Sequence, residues 1–368
     1  MSPRLPAGLD RLPSGKVRAR YRDRDGKQHS RAFDGVREAQ RWRTAQMADV
    51  HSGKHVAPND STTVLEYARD WVAARLHRET SARVMRAYLL HIESTPLGAR
   101  PIRLVRTSEI QAFIRDRSEH LAPSTLRNLY ITLKAVFLSA VEDRLIPYTP
   151  CTSRVVLPRL DRAEVVPLDV EQVRAIAAEV PERYEMAVIL QAALGLRISE
   201  LFGLKVTDID FFKKTVKVDR QISQDGKRFV PLKTQSSYRV VPLAEDVALL
   251  LSAHLAQFPP GPEGTVFTTS HKNPVKPVMY SAKIFKPACV AAGLPDATTH
   301  DLRHHFASVL IRMNVPVNVV AKYMGHQTAA LVLSTYAHLF PDNDVVTRQA
   351  LDVAWGVSRK DQQAADQG

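Results

Sequence analysis

"HDLRHHFASVL", residues 300–310, sets three histidines and an arginine within its first six positions. Leu302, Phe306, Val309, Leu310 and Met313 fall at i, i+4, i+7, i+8 and i+11, one side of a helix turning about 100° per residue. His300, Arg303 and His304 then share another face, and His305 points elsewhere. Thr298 or Thr299 can cap the start. His300 and Arg303 sit in the first turn, where free backbone N–H groups and the positive dipole end favour an anion. A metal reading competes. "HDLRH" is close to H-E-x-x-H with Asp301 in place of Glu, and His326 offers a third ligand. Arg303 argues against it, because a fixed guanidinium beside a dication is electrostatically costly. The bland alternative is solvated or capping histidines.

The bulk numbers narrow the choice. A chain of 368 residues with 45% hydrophobic content can hold two or three domains with real cores. Two cysteines, Cys151 and Cys289, give no disulfide framework and fit a reducing cytoplasm. No apolar run is long enough for a membrane span, and the N-terminus has no apolar signal core. With 51 Lys and Arg against 38 Asp and Glu, the net charge of +13 points to a polyanionic partner. Residues 1–55 alone hold 13 basic against 6 acidic residues.

That first segment reads as a separate unit: "KVRARYR" and "KQHSRAF" are strand candidates around the turn "DRDG", and a helix follows from Val36 to Val50. "SGKHVAPNDSTT", 52–63, is a linker. Helical patterns cover Val64–Leu76, Thr80–His91, Thr107–His120 and Pro123–Asp143. The last carries the stripe Leu126, Leu129, Leu133, Val136, Phe137 and Ala140. The four prolines of 146–167 mark a second linker. From Leu168 come two helices, the second closed by Gly195, then three strands, "TVKVDRQI", "KRFVPLK" and "YRVVPL". "SQDG" is the first turn between them and "TQSS" the second. Helices from Glu245, Tyr280, Thr299, Val317 and Thr328 complete the unit. The tail "SRKDQQAADQG" is polar and expected to be disordered.

Three other stretches join the first. "AALGLRISELFGL" places Arg197 past a Gly-capped helix and at the start of another. "KYMGHQTAALVLSTYAHL" offers Gly325, His326 and Tyr336. Lys233 stands at a strand end beside the "TQSS" turn. Two arginines, two histidines, a lysine and a tyrosine can surround a phosphodiester, stabilise a pentavalent phosphorane and supply a nucleophile without a metal.

The ordered set resembles the tyrosine recombinase family, in its phage-integrase branch. "GLRISEL" (195–201) resembles the first arginine box, and "HDLRHHFAS" (300–308) the H-x-L-R-H box. "MGHQTAALVLSTYAHL" (324–339) resembles the tail that bears the nucleophile, and "LKTQSSYRVVPL" (232–243) the β-hairpin with the active-site lysine. The resemblance implies a multidomain fold, mainly α with small β-sheets. It comprises a β-sheet-plus-helix arm-type DNA-binding domain (1–55), a helical core-binding domain (61–148), a linker (149–167), a mixed α+β catalytic domain (168–345) and a C-terminal segment (346–368). Within that segment, the helix at 345–357 is a candidate for packing on a neighbouring protomer.

It implies roles as well. Tyr336 attacks phosphorus to form a 3′-phosphotyrosine. Arg197 and Arg303 hold non-bridging oxygens, Lys233 protonates the leaving 5′-oxygen, and His300 assists proton transfer. His326 bonds the phosphate. Glu200 supports the site from behind, and His304 is structural, as is His338 at a helix end. No cofactor and no metal are implied. The implied partners are double-stranded DNA attachment sites, a homotetramer on DNA, an excisionase and a DNA-bending host factor, with no membrane. The expected location is cytoplasmic, at the nucleoid. The competing functions are a type IB topoisomerase-like relaxing enzyme, a non-catalytic DNA-binding regulator and a zinc hydrolase.

Overall fold

The computed structural model describes residues 5–23, 26–52, 61–76, 79–160, 164–340 and 344–355. Most of the first linker, three residues of the second and the polar tail lie outside the described residues. The chain divides into two compact units, Met1–Arg162 and Ala163–Gly368.

In the first unit, β1 (Leu9–Arg11), β2 (Val17–Arg22) and β3 (Gln28–Phe33) form an antiparallel sheet in that order. Too short to show an alternation, β1 leaves no periodic signal in the sequence. Along β2, Val17, Ala19 and Tyr21 face inward, as the two-residue period requires. Helix α1 (Val36–Ser52) covers that face, with Trp42 edge-on to Tyr21 at 5.4 Å. On the other face Arg18 and Arg20 share Asp10.

The same unit holds α2 (Val64–Ala73), α3 (Glu79–Glu93), α4 (Thr107–Ser118) and α5 (Pro123–Glu142), each within a few residues of its sequence pattern. Thr63 and Glu66 make a reciprocal capping box at the start of α2. The apolar stripe of α5 is the centre of this core: its six residues are at most 1% exposed.

The second unit begins with α6 (Val170–Glu179), α7 (Glu182–Leu194) and α8 (Ile198–Leu201). Strands β4 (Ile209–Asp210), β5 (Thr215–Val218), β6 (Arg220–Ile222), β7 (Phe229–Pro231) and β8 (Arg239–Pro242) follow. The helices α9 (Glu245–Gln257), α10 (Pro277–Tyr280), α11 (Lys286–Ala291), α12 (Thr299–Arg312), α13 (Val317–Met324), α14 (Ala329–Tyr336) and α15 (Asp344–Trp355) complete it. Helix α7 is buried on most sides and packs against α6, α9 and α12. Leu351, Val353 and Trp355 of α15 are exposed. No described helix is long and apolar enough to cross a membrane.

Three expectations need correction. "TVKVDRQI" is two strands in two sheets: β5 lies between β4 and β8, whereas β6 pairs with β7. The break falls at Asp219, which pairs with Lys217 and Arg220. In consequence 232–243 is not a hairpin. The hairpin is β6–β7, closed by "SQDG", and "TQSS" is a 3-10 turn that carries the chain between sheets. On α12, Val309 and Met313 are exposed, while Leu302, Arg303, Phe306, Ala307 and Ile311 are buried. The helix is rotated so that Arg303 faces the interior.

Candidate active site

Two helix ends frame the site. Helix α7 stops at Gly195, whose left-handed φ of 61° turns the chain into α8 with Arg197 as its N-cap. Helix α13 stops in the same way at Gly325, φ 64°, and releases His326. The Arg303 guanidinium spans both ends. Its Nη1 donates to the Gly195 carbonyl at 2.5 Å and its Nη2 to the Met324 carbonyl. Unsatisfied carbonyls at helix C-termini carry partial negative charge, so a buried cation is well placed there.

Gln191 locks the two boxes together. Its Nε2 donates to the Leu196 carbonyl at 3.1 Å and to the Thr299 carbonyl at 2.9 Å. These carbonyls directly precede Arg197 and His300. Thr298 caps α12 by accepting from the His300 N–H at 3.2 Å, and the Asp301 carboxylate returns to the Thr298 N–H at 2.8 Å. Asp301, the stand-in for Glu in the metal motif, is thus engaged in a capping box.

Behind the arginines lies Glu200. It accepts from Arg197 Nη1 at 2.7 Å and from Arg239 Nη2 at 2.8 Å. Arg239 also donates its Nε to the Tyr323 carbonyl at 2.7 Å. Burial pushes the Glu200 carboxyl upward, but Arg239, Arg197 and Arg303 together outweigh it and hold the group at about 2. Three guanidiniums therefore face one carboxylate, leaving two positive charges uncompensated. Arg303 feels the excess: burial first, then Arg197 and Arg239, lower it to about 9, still charged at neutral pH.

His326 and His300 add donors without adding charge. Burial, followed by Arg303 and Arg197, lowers His326 to about 4. Crowding by protein atoms, then His304 and Arg303, does the same for His300, although its side chain remains reachable by solvent. The buried Nδ1 of His326 has no hydrogen-bond partner among the described residues. An open cleft of ≈ 430 Å³ runs beside it, lined by Ser236, Arg239, Lys322, Gln327 and Thr328 among others.

Tyr336 ends α14 and is 1% exposed. Its phenol oxygen lies 2.5 Å from His304 Nδ1. Burial pushes the phenol up to about 12, against the pull of the Arg303 charge.

The structure thus brings Arg197, Glu200, His300, Arg303, His326 and Tyr336 to one place. It does not bring Lys233 to them through any hydrogen bond among the described residues; Lys233 is exposed just beyond β7. His304 sits directly on the phenol. His338 lies in a 3-10 turn and bonds the Val165 carbonyl at 2.9 Å, and His305 bonds the Leu168 carbonyl at 2.7 Å. Sequence reasoning missed Gln191 and Arg239. The signal for Arg239 was its place in β8, where it points inward with Val241 while Val240 and Pro242 point out.

Comparison with known proteins fits this geometry. Residues 167–342 match the profile described as the phage integrase family. A tyrosine recombinase XerC-like protein of Caldanaerobacter subterraneus subsp. tengcongensis is 26% identical over 356 residues, covering 87% of this chain and 90% of its own. The integrase of Mycobacterium phage D29 is 25% identical, covering 93% of this chain and 95% of its own. Among solved structures, the Tn1549 transposon integrase in complex with circular-intermediate DNA superposes with a TM-score of 0.70 at 21% identity. The match covers 79% of this chain and 98% of that one.

Proposed function

We propose, from the premise that this chain is a tyrosine recombinase of the phage integrase family, that it integrates or excises a mobile element. It cuts and rejoins DNA at specific sites through a 3′-phosphotyrosine. The observation that carries this reading is the meeting of Arg197, Arg303 and His326 with Tyr336, from three separate stretches of chain. Two uncompensated positive charges there suit a phosphorane, which gains negative charge as it forms.

In this reading the Tyr336 oxygen attacks the scissile phosphorus. Arg197, half-exposed at its helix start, and Arg303 stabilise the equatorial oxygens. His326, which lines the cleft, hydrogen-bonds one of them through its other ring nitrogen, its Nδ1 being buried, and Glu200 with Arg239 holds Arg197 in place. Lys233, on its exposed loop, reaches the leaving 5′-oxygen once DNA is bound. A 5′-hydroxyl of a second duplex then attacks the phosphotyrosine and restores the DNA. The bond energy is kept in the phosphotyrosine, so the scheme requires no nucleotide cofactor. A non-catalytic regulator would not need this set intact.

The basic segment 1–55 is the arm-site reader, 61–148 the core-site reader and 168–345 the catalytic domain. Exchange between two duplexes calls for four active sites, hence a homotetramer on DNA. The exposed apolar residues of α15 support a protomer-to-protomer role for that helix. An excisionase and a DNA-bending host factor are the partners that would set direction.

A duplex core site nicked close to the cleavage position loses the small 5′-fragment and traps the covalent complex. Wild-type protein is expected to shift on a denaturing gel with such DNA, whereas Tyr336→Phe binds the site without shifting. An adduct formed by the Phe variant would remove Tyr336 from the reaction.

A further inference from the structure

The sequence assigned proton transfer to His300, yet the phenol meets His304. The Oη–Nδ1 distance is 2.5 Å, and the two rings stand 5.5 Å apart at 65°. His304 lies one turn beyond His300 on α12, and those two rings meet edge-on at 4.7 Å. We propose that His304 is the general base for Tyr336, its Nδ1 taking the phenolic proton as the oxygen attacks phosphorus. The inference rests on the recombinase reading above.

Chemical need comes first. A phenol held at about 12 is ionised to only ~10⁻⁵ at neutral pH, so attack needs a base in contact with it. His304 is the group in contact. Its form also suits the task. The charged and titratable groups acting on it are Asp301 and Arg303 of its own helix, His300 one turn before, and Tyr336 of α14. Burial, helped by Arg303 and opposed by Asp301, lowers its pKa, so the ring is neutral at neutral pH. A neutral imidazole has one acceptor nitrogen. For the phenol O–H to donate across this contact, Nδ1 is that acceptor and the ring proton sits on Nε2.

The step balances. The Tyr336 O–H proton moves to His304 Nδ1, the Oη–P bond forms, and the P–O5′ bond breaks. The leaving 5′-oxygen takes its proton from Lys233. On rejoining, a 5′-hydroxyl attacks phosphorus and passes its proton to the now-neutral Lys233 amine; the O5′–P bond forms, the Oη–P bond breaks, and Tyr336 takes its proton back from the His304 imidazolium. Asp301 partly offsets the charge that His304 carries in between.

The test uses the full-length protein, the nicked core duplex and single-turnover adduct formation. His304→Ala is expected to cut roughly 10²–10⁴ more slowly at neutral pH, with DNA affinity unchanged and a saturable recovery when imidazole is added. His304→Asn keeps a hydrogen-bonding group at the phenol but no useful base. It should stay slow, lose the acidic limb of the wild-type pH–rate profile, and quicken continuously with rising pH. A 5′-bridging phosphorothiolate substrate, whose leaving group needs no acid, should not restore either variant. The inference is overturned if His304→Asn matches wild-type rate and pH profile. It is equally overturned if imidazole fails to revive His304→Ala, or if lost cleavage follows lost DNA affinity. Adduct formation by wild type and both variants alike rejects this role and leaves the recombinase reading standing. No adduct from wild type rejects that reading itself.

Discussion

Arg239 Nη2 donates to Glu200 Oε2 at 2.8 Å, and both side chains are 1% exposed. A carboxylate this deep is tolerable only because two guanidiniums bond it and a third lies near. Removing it would strand those cations in the interior. Glu200→Ala is therefore expected to lower unfolding stability by about 3–5 kcal/mol, read from denaturant melts. A change of a few tenths would show that solvent already neutralises the arginines.

The same group sets an acid dependence. Its folded pKa of about 2 lies below the ordinary 4.5. A depressed carboxylate stabilises the fold above the ordinary value and loses that contribution as pH falls toward the folded value. Between those limits wild-type stability should fall by an amount on the order of 3 kcal/mol from this group. Glu200→Gln should show a shallower fall over the same window. Parallel pH–stability curves would contradict the assignment.

Gly195→Ala tests the helix end that feeds Arg303. The left-handed conformation costs an L residue roughly 1–2 kcal/mol. Here a Cβ would also stand 2.3 Å from the Phe306 ring. Gly293 has a similar positive φ of 74° with nothing within 4 Å of such a Cβ. The Gly195 variant should lose clearly more stability than Gly293→Ala, and lose cleavage too as the carbonyl under Arg303 shifts. Equal melting temperatures would show that the Phe306 contact yields freely.

Arg303→Ala is expected to slow cleavage by roughly 10²–10³, the scale for losing one transition-state donor. Arg303→Lys should not restore the rate, because a point charge cannot span the Gly195 and Met324 carbonyls. Single-turnover rates on the nicked duplex decide. An Ala variant of near-normal rate would take Arg303 out of the chemistry.

Much of this is legible in the sequence itself. The α5 stripe, the Gly195 stop and the Thr298 cap are local signals, fixed by period, φ and hydrogen-bond chemistry over a few residues. The four boxes could be placed in order because each sits at such a local boundary. What could not be read is long-range. "TVKVDRQI" alternates throughout, and alternation does not record that its halves pair with different strands. Arg303 looked like part of a polar face because the sequence does not show two helix C-termini waiting to bond it. The same holds for His304, whose partner is 32 residues away.

Deleting residues 1–55 should leave cleavage of a short core site intact and impair recombination that uses long flanking sites. Loss of 13 Lys and Arg from the chain should also flatten the salt dependence of binding to the long sites. Equal recombination by both proteins on long sites would remove the arm-reading role.

The central claim is that one phenol oxygen becomes joined to DNA. The trapped complex, formed in EDTA, can be digested with nuclease and trypsin and the nucleotide remnant located by mass spectrometry. The peptide between Lys322 and Arg348 contains both Tyr323 and Tyr336. The remnant is predicted on Tyr336; a remnant on Tyr323 or any other residue, or no adduct until a divalent ion is restored, would contradict the account.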